Sequence, residues 1–221
     1  MKICYGFAMN TTLLAQWQSN SETNTTAIVI PDGCRDLIMR MSPGKTPYWF
    51  VSSLGSCTYT VSIKAGVFMQ GFRLKPGVRI DEERLLASIQ NQNIEFEDVY
   101  CRLASSVHLS PSVSEALDCL ASDVGSVARA ARELGVGQRS LQRLLTRETG
   151  QPPVYWMLLA RVRKSARAVL GPRPLAEIAV NHRYADQAHM SREFKRWLNI
   201  SPLKTKFEIE VLKQLSQPGY S

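Results

Sequence analysis

Long apolar runs are missing from this 221-residue sequence. No segment approaches the roughly 18 uncharged apolar residues that a membrane-spanning helix needs. Residues 1–18 hold one lysine, an interrupted apolar run and no small-residue cleavage site, so no signal peptide is expected. These absences predict a protein without membrane spans that stays in the cytoplasm.

Cysteine and histidine are both scarce. The five cysteines are scattered without a C-x-x-C pair, which argues against a zinc ribbon or a disulfide framework and suits a reducing compartment. The three histidines, His108, His182 and His189, fall in segments with helical or turn patterns. The sequence has no nucleophile–base motif, metal-ligand spacing or glycine-rich phosphate loop. We therefore expect no enzymatic activity, no metal and no cofactor.

Acidic residues are outnumbered in only one half of the chain. Residues 1–124 hold 10 Lys and Arg against 12 Asp and Glu, a net charge of −2. Residues 125–221 hold 17 against 7, a net charge of +10. This asymmetry indicates a control module attached to a module that binds a polyanion. Charge alone does not distinguish nucleic acid from an anionic membrane surface.

Residues 1–80 have the pattern of short strands separated by turns. Runs such as "TTAIVI" (25–30) and "CTYTVSI" (57–63) are rich in β-branched residues. Turn signals such as "PDG" (31–33) and "KPG" (75–77) follow or separate the runs. The spacing predicts a small sheet or partial barrel, which would form a β-rich N-terminal domain with a sensing or regulatory role.

Residues 81–122 change to helical patterns. "DEERLLASI" (81–89) begins with acidic residues that suit a helix N-terminus. Ser110 and Pro111 are a typical N-cap and first helical residue. We interpret 81–122 as a helical connector and as a candidate surface for homodimerisation. Residues 207–221 are interpreted as a C-terminal tail.

The segment 126–153 is the most informative part of the basic half. Apolar residues recur at helical spacing between Val127 and Leu134, and Gly135 permits a left-handed end to that helix. A second helix is expected from about Gln138 to Glu148, with leucines on its buried side. Two short helices joined by a tight turn that contains glycine predict a helix-turn-helix unit.

The second helix of this unit has long polar side chains near its N-terminal end, away from its leucines. In the major groove, Arg can donate two hydrogen bonds to guanine, and Gln can pair twice with adenine. The alternative is an ordinary amphipathic helix with a solvated face. The side chains concerned are those of Gln138, Arg139, Gln142 and Arg143.

The same architecture recurs at 175–202, which favours DNA reading over a merely solvated face. Asp186 is the expected N-cap of the second helix, and Met190, Phe194 and Trp197 form its buried stripe. The polar side chains left outside this stripe are Gln187, His189 and Arg192 near the helix start, and Lys195 and Arg196 further along.

A long helix joins the two units. "PVYWMLLARVRKSARAVLG" (153–171) predicts a rod of roughly 26 Å. Such a rod could hold two recognition helices about 34 Å apart, which is one turn of B-DNA. Cations on one side of the rod are expected to contact phosphates, so that affinity falls steeply with salt. These cations are Arg161, Arg163, Lys164 and Arg167.

Residues 123–206 resemble the DNA-binding module of the AraC/XylS family of bacterial transcription regulators. The resemblance lies in "ARELGVGQRSLQRLLTRETGQPPVYWMLLARVRKSARAVL" and in "LAEIA…YADQAHMSREFKRWLNISP". It implies an α+β chain: a small β-rich N-terminal domain, a helical connector, and an all-α C-terminal domain with two helix-turn-helix units on a long linker helix. It also implies a sequence-specific regulator of the bacterial cytoplasm and nucleoid, an activator that works with RNA polymerase on double-stranded DNA.

The resemblance assigns base contacts residue by residue, and the position of further polar residues predicts backbone contacts. Ala188 could offer a base only its methyl group. The base-contacting set is Arg139, Gln142, Arg143, Gln187, Ala188, His189 and Arg192. The backbone-contacting set is Gln138, Arg147, Arg161, Arg163, Lys164, Lys195 and Arg196.

The turn of the second unit departs from the family pattern. His182, Arg183 and Tyr184 stand where an apolar residue, glycine and phenylalanine are usual. Loss of that glycine is expected to strain the turn or to alter how the second unit docks. Asn199 replaces another usual glycine, but Asn tolerates left-handed backbone conformations.

Two questions stay open at this level. Arg183 favours an alternative function, a protein-interaction regulator whose basic half binds DNA weakly or non-specifically and whose N-terminal domain captures a partner. The aromatic residues of the β-rich half could line a pocket for an unidentified small-molecule effector, although aromatics in short strands usually pack inward. These aromatics are Tyr48, Trp49, Phe50, Phe68 and Phe72.

Overall fold

The computed structural model describes residues 12–90 and 96–221, so expectations for residues 1–11 and 91–95 lie outside the described residues. No helix in these two ranges is long and apolar enough to cross a membrane. Strands precede helices along the chain, and the predicted α+β class is confirmed. The strands are β1 (Leu13–Asn20), β2 (Thr25–Val29), β3 (Arg35–Met41), β4 (Tyr48–Val51), β5 (Tyr59–Ile63), β6 (Phe68–Leu74), β7 (Arg79–Ile80) and β8 (Val107–His108).

The helices begin directly after β7, and β8 is the one strand among the described residues that follows the first of them. They are α1 (Glu82–Ile89), α2 (Phe96–Ser106), α3 (Pro111–Ala121), α4 (Val127–Glu133), α5 (Gln138–Thr149), α6 (Pro153–Val169), α7 (Leu175–Asn181), α8 (Gln187–Leu198), α9 (Pro202–Thr205) and α10 (Ile209–Ser216).

The main sheet has four antiparallel strands in the order β1-β6-β3-β4, and β2 and β5 form a separate antiparallel ribbon. Strands β2 and β5 lie within the two runs, 25–30 and 57–63, that predicted them. Strand β1 was not singled out, because "LLAQWQSN" has no β-branched residue. β1 forms because it pairs with β6 along its whole length, and the β-propensities of its own residues do not reveal this pairing.

The aromatic residues once considered for an effector pocket are divided between the two faces of the sheet. Trp49 and Phe72 are buried and stack with ring centroids 6.3 Å apart, and Phe68 packs against the same core. Tyr48 and Phe50 stack on each other at 5.9 Å on the opposite face, with Tyr48 exposed. The five side chains therefore do not line one cavity, and the core interpretation holds for Trp49 and Phe72.

The helices predicted as a connector over 81–122 form where expected, but they are shared between two cores. Leu85 of α1 and Leu103 of α2 are buried with the sheet residues Leu37 and Phe72. Helix α3 instead packs on α6 and joins the C-terminal core. Along the helical part of the chain, the change from one core to the other therefore falls between α2 and α3.

Helix α6 is the centre of the C-terminal half. It has 17 residues, which corresponds to the predicted rod of roughly 26 Å, and ten of them are buried. Helices α3, α4, α5, α7, α8, α9 and α10 all contact it. Both helix-turn-helix units are therefore mounted on one buried rod.

The prediction of a tail at 207–221 is wrong. Helix α10 buries Val211 and Leu215, and Tyr220 is only 4% exposed. The Tyr220 hydroxyl donates to the Leu117 carbonyl at 2.7 Å, and its ring lies edge-on to that of Trp156 at 5.1 Å. The segment is held by tertiary contacts that its weak local pattern does not indicate.

Arg163 is fully buried, so the prediction that it contacts the DNA backbone is wrong. Its Nε donates to the Tyr220 carbonyl at 3.0 Å, and its Nη1 donates to the Pro31 carbonyl at 3.2 Å. Burial lowers the pKa of Arg163 to about 10, against the attraction of the nearby Asp32 carboxylate, so the group stays charged at neutral pH. The guanidinium ties α6 to the loop after β2 and to the C-terminal segment.

A second polar cluster lies beside this junction. Arg73 of β6 pairs with Asp32 at 3.1 Å and with Asp36 at 3.1 Å, and it donates to the Pro218 carbonyl at 3.2 Å. The Tyr220 amide donates to the Asp32 carbonyl at 2.7 Å. The loop after β2, the sheet and the C-terminal segment are therefore joined by charged and backbone groups that satisfy one another.

Replacing Arg163 by Ala should lower the free energy of unfolding by about 3 kcal/mol, because two carbonyl groups lose a buried charged donor and a cavity remains. Chemical denaturation checks this value. Arg132→Ala, at an exposed position of α4, is the control and should stay within about 0.5 kcal/mol of the wild type. Weaker DNA binding with an unchanged free energy of unfolding would restore Arg163 as a DNA contact.

Candidate nucleic-acid interface

The first helix-turn-helix unit forms as the sequence predicts. The Ser126 side chain accepts a hydrogen bond from the Arg129 amide at 3.2 Å and caps α4. Gly135 ends that helix in the left-handed region at φ 67°, which glycine adopts without a side-chain clash. The Val136 amide then donates to the Ala131 carbonyl at 2.9 Å, which closes the turn in front of α5.

Helix α5 buries its leucines and exposes its predicted DNA-reading side chains. Leu141 and Leu145 are buried, whereas Arg139, Gln142 and Arg143 are exposed. Within residues 12–90 and 96–221, neither Arg139 nor Arg143 makes a side-chain hydrogen bond or ion pair. Both guanidinium groups are thus available to an external acceptor.

The other polar groups of α5 are partly engaged within the helix. Gln142 Nε2 donates to Thr146 Oγ1 at 3.3 Å, a bond on an exposed surface that a base edge could replace. Arg147 pairs with Glu148 at 2.7 Å and remains mostly exposed. Gln138 is the exposed first residue of the helix, after an N-cap glycine that offers no side-chain acceptor.

In the second unit, α8 also has a defined N-terminal end and a buried apolar face. Asp186 Oδ1 accepts a hydrogen bond from the His189 amide at 2.6 Å, which confirms Asp186 as the N-cap. Met190, Phe194 and Trp197 are buried, so the predicted apolar stripe is core. The exposed residues are Gln187, Ala188, Arg192, Lys195 and Arg196.

His189 is held in a defined orientation at the start of α8. Its Nδ1 accepts a hydrogen bond from the Ala185 amide at 3.3 Å, and its ring lies edge-on to Tyr184 at 5.4 Å. Because Nδ1 is the acceptor, the neutral imidazole carries its proton on Nε2. The group is then a donor suited to guanine N7 or O6, or to thymine O4.

Two cations of α6 that were predicted to contact phosphates are paired inside the domain. Arg161 lies 3.6 Å from Glu193 and stacks over the Tyr184 ring at 4.6 Å. Lys164 donates to the Ala121 carbonyl and lies 3.6 Å from Asp123. A contact of either cation with phosphate would require these pairs to open.

The last cations of α6 and α8 differ in their exposure. Arg167 donates to the Leu215 carbonyl at 3.0 Å, so it holds α10. On α8, Lys195 Nζ donates to the Asn199 carbonyl at 3.1 Å, and Arg196 lies 3.8 Å from Glu193. Arg196 also lies over the Trp197 ring at 5.7 Å, but the side chains of Lys195 and Arg196 are both exposed and stay accessible.

The unusual turn of the second unit closes despite its lack of glycine. Arg183 adopts φ 59°, and the Tyr184 amide donates to the Ala179 carbonyl at 2.9 Å. Tyr184 is buried, and its hydroxyl is 3.0 Å from Ser165 Oγ, which satisfies the polar group that phenylalanine lacks. Burial raises the pKa of Tyr184 to about 12, so the hydroxyl stays neutral. The expected strain is present in the backbone of Arg183, and the turn tolerates it.

Replacing Arg183 by Gly should raise the free energy of unfolding by about 0.5–1 kcal/mol, since relief of left-handed strain exceeds the added entropy of the unfolded chain. Urea titration measures the change. Asn199→Gly, also at φ 59°, is the matched control and should gain less, because Asn tolerates this region. An Arg183→Gly variant no more stable than the wild type would mean that contacts of the arginine side chain offset the strain.

Residues 130–206, which include most of both helix-turn-helix units, match a family model described as a helix-turn-helix domain. No curated protein sequence matches the chain.

Several solved structures are similar to parts of the chain. An AraC-type transcriptional regulator from Chromobacterium violaceum has 22% identity, covering 49% of this chain and 96% of that chain, with a TM-score of 0.41. The C-terminal domain of AraT, a response regulator from Geobacillus stearothermophilus, has 26% identity, 45% and 87% coverage, and a TM-score of 0.42. ToxT from Vibrio cholerae has 11% identity, 89% and 98% coverage, and a TM-score of 0.46.

The family match lies within residues 123–206, the segment that resembles AraC/XylS regulators and that forms two capped helix-turn-helix units. Residues 130–206 are therefore an AraC-type helix-turn-helix domain, and the chain carries the DNA-binding domain of this family of transcription regulators.

Proposed function

We propose that the chain is a sequence-specific transcription regulator that reads two successive major grooves with α5 and α8. The observation that carries the proposal is that each helix exposes unpaired or weakly paired polar side chains near its N-terminal end while its opposite face is buried. Arg139 and Arg143 have this role on α5, and Gln187, His189 and Arg192 have it on α8. Arg, Gln and His in these places match the donor and acceptor pattern of base edges.

The mounting of both units on α6 supports reading of two grooves at a fixed spacing. Leu145 of α5 and Phe194 of α8 lie in one core with Leu159 of α6. A shared core resists relative movement of the two helices, so their separation is preset before DNA binds. The net charge of +10 on residues 125–221 supplies the attraction for phosphates.

The finer parts of the proposal follow from the resemblance to AraC/XylS regulators. We propose activation through RNA polymerase as the regulatory outcome, and the β-rich half as the part that responds to a signal. Homodimerisation through residues 81–122 would use the exposed faces of α1, α2 and α3, since their apolar faces are occupied within the chain.

The alternative, partner capture with only weak or non-specific DNA binding, rested on Arg183. That residue takes the left-handed conformation that the turn needs, and the Asp186 cap of α8 is formed. The reason for preferring the alternative is thereby removed. It remains an outcome of the DNA-selection experiment.

Selection of bound sequences from a pool of random duplex DNA tests the proposal. Enrichment of two sequence blocks about one helical turn apart is the expected result. A single enriched block would mean that one unit contacts the DNA phosphate backbone without reading bases. Salt-sensitive binding without any enriched sequence would overturn the proposal and favour partner capture.

Substitution of Arg143 should separate base reading from phosphate contact. Arg143→Ala should weaken binding to the selected site by roughly 1–3 kcal/mol and relax the sequence preference at one or two positions. Arg147→Ala, one turn further along α5, is the control and should weaken binding equally on all sequences while lowering the salt dependence. Competition titrations of specific and scrambled duplexes at several salt concentrations measure both effects. A uniform loss for Arg143→Ala would remove it from the base-reading set.

A further inference from the structure

The C-terminal end of α8 receives its hydrogen-bond donors from the β-rich half. The last carbonyl groups of a helix have no partner within the helix. The carbonyl of Trp197, a residue that is 1% exposed, accepts two hydrogen bonds from a single residue, Thr58. The Thr58 amide and the Thr58 hydroxyl each donate to it at 2.9 Å. Thr58 is thus an external cap of the second recognition helix.

Thr58 is itself firmly held by the sheets. It ends the loop between β4 and β5, and the next residue, Tyr59, pairs with Val29 of β2. At the start of this loop, the Ser52 amide donates to the Asp36 carbonyl at 2.8 Å, and the Asp36 amide donates to Ser52 Oγ at 2.7 Å. A displacement of the β-rich half would therefore move Thr58 with it.

The same loop has a second contact with the DNA-binding half. The Tyr155 hydroxyl of α6 donates to the Gly55 carbonyl at 2.8 Å. The Tyr155 ring lies 5.5 Å from the ring of Trp197. Gly55 therefore contacts α6, and Thr58 contacts α8 at a neighbouring point. Together these contacts fix the position of α8 along its own axis.

Helix α5 has no comparable connection among the described residues. In the described part of the chain, its side-chain link to the strands is the ion pair between Arg79 and Glu148 at 3.7 Å, in which Arg79 is 64% exposed. Because the Arg79 side chain is largely solvated and the two groups are 3.7 Å apart, this ion pair is weak and screened by salt. The two recognition helices thus differ in how strongly they are coupled to the β-rich half.

We infer that Thr58 is a positioning residue through which the β-rich half holds α8 in place for DNA reading, an inference that rests on the proposed function. The buried stripe of α8 packs it sideways on α6, whereas the two hydrogen bonds at Trp197 oppose sliding and tilting of the helix. A shift of the β-rich half breaks both bonds and leaves a buried carbonyl unpaired, which is unfavourable. A signal in the β-rich half would then reach the second unit and leave the first unchanged.

The test compares Thr58→Val, which removes the hydroxyl donor at nearly constant shape, with Thr58→Ser, which keeps it. Thr60→Val, at an exposed position of β5, is the matched control. Each full-length variant is titrated with the selected two-block duplex and with duplexes in which one block is scrambled. Amide hydrogen exchange of α5 and α8 is measured on the same free proteins.

We expect Thr58→Val to lose roughly 3- to 10-fold in affinity wherever the α8 block is intact, and nothing on the duplex that keeps only the α5 block. Exchange should accelerate in the last turn of α8 and stay unchanged in α5. Thr58→Ser and Thr60→Val should behave as the wild type does.

Equal losses on both blocks, or unchanged exchange of α8 in Thr58→Val, would overturn the inference. If the wild type selects no two-block site, the proposed function fails, and hydrogen exchange in α8 still decides whether Thr58 holds this helix. The two failures are therefore distinguishable.

Discussion

One buried guanidinium joins the parts of this chain that lie far apart in sequence. Arg163, in the middle of α6, donates to the carbonyls of Pro31 and Tyr220. A buried charge is tolerated only where hydrogen bonds and a counter-charge offset the lost hydration. Here two carbonyls and the nearby Asp32 supply part of that compensation, and Arg163 Nη2 has no hydrogen-bond partner among the described residues. The loop after β2 and the C-terminal segment must therefore be in place for the core to form as described.

This constraint explains how the two halves are arranged. The β-rich half lies against α6 and α8 through Pro31, Gly55 and Thr58, so α6, which carries both helix-turn-helix units, also contacts the β-rich half. A ligand or partner that shifts the sheets would act directly on these contacts, and through Thr58 on α8. The acceptors in these contacts are backbone carbonyls, which respond to chain position more than to side-chain identity.

Much of the DNA-binding half was predictable from local chemistry. The Asp186 cap, the Gly135 turn and the stripe of Met190, Phe194 and Trp197 follow from capping rules and helical periodicity, and all are observed. The prediction for Arg163 failed because periodicity assigns a residue to a helix but does not tell which neighbour will cover it. The tail prediction failed for a related reason, since Tyr220 is buried by segments distant in sequence. Strand β1 was not singled out because its pairing with β6, rather than its own propensity, defines it.

The sequence by itself determined the two helix-turn-helix units, their exposed polar residues and the basic character of the half that holds them, because these depend on contacts within a few residues of chain. Only the tertiary structure decided which cations are free to meet DNA. Arg143 remains exposed, Arg161 is paired with Glu193, and Arg163 is enclosed, although the sequence predicts a DNA contact for all three. The physical reason is that the availability of a charge depends on what surrounds it in space, and long-range packing sets those surroundings.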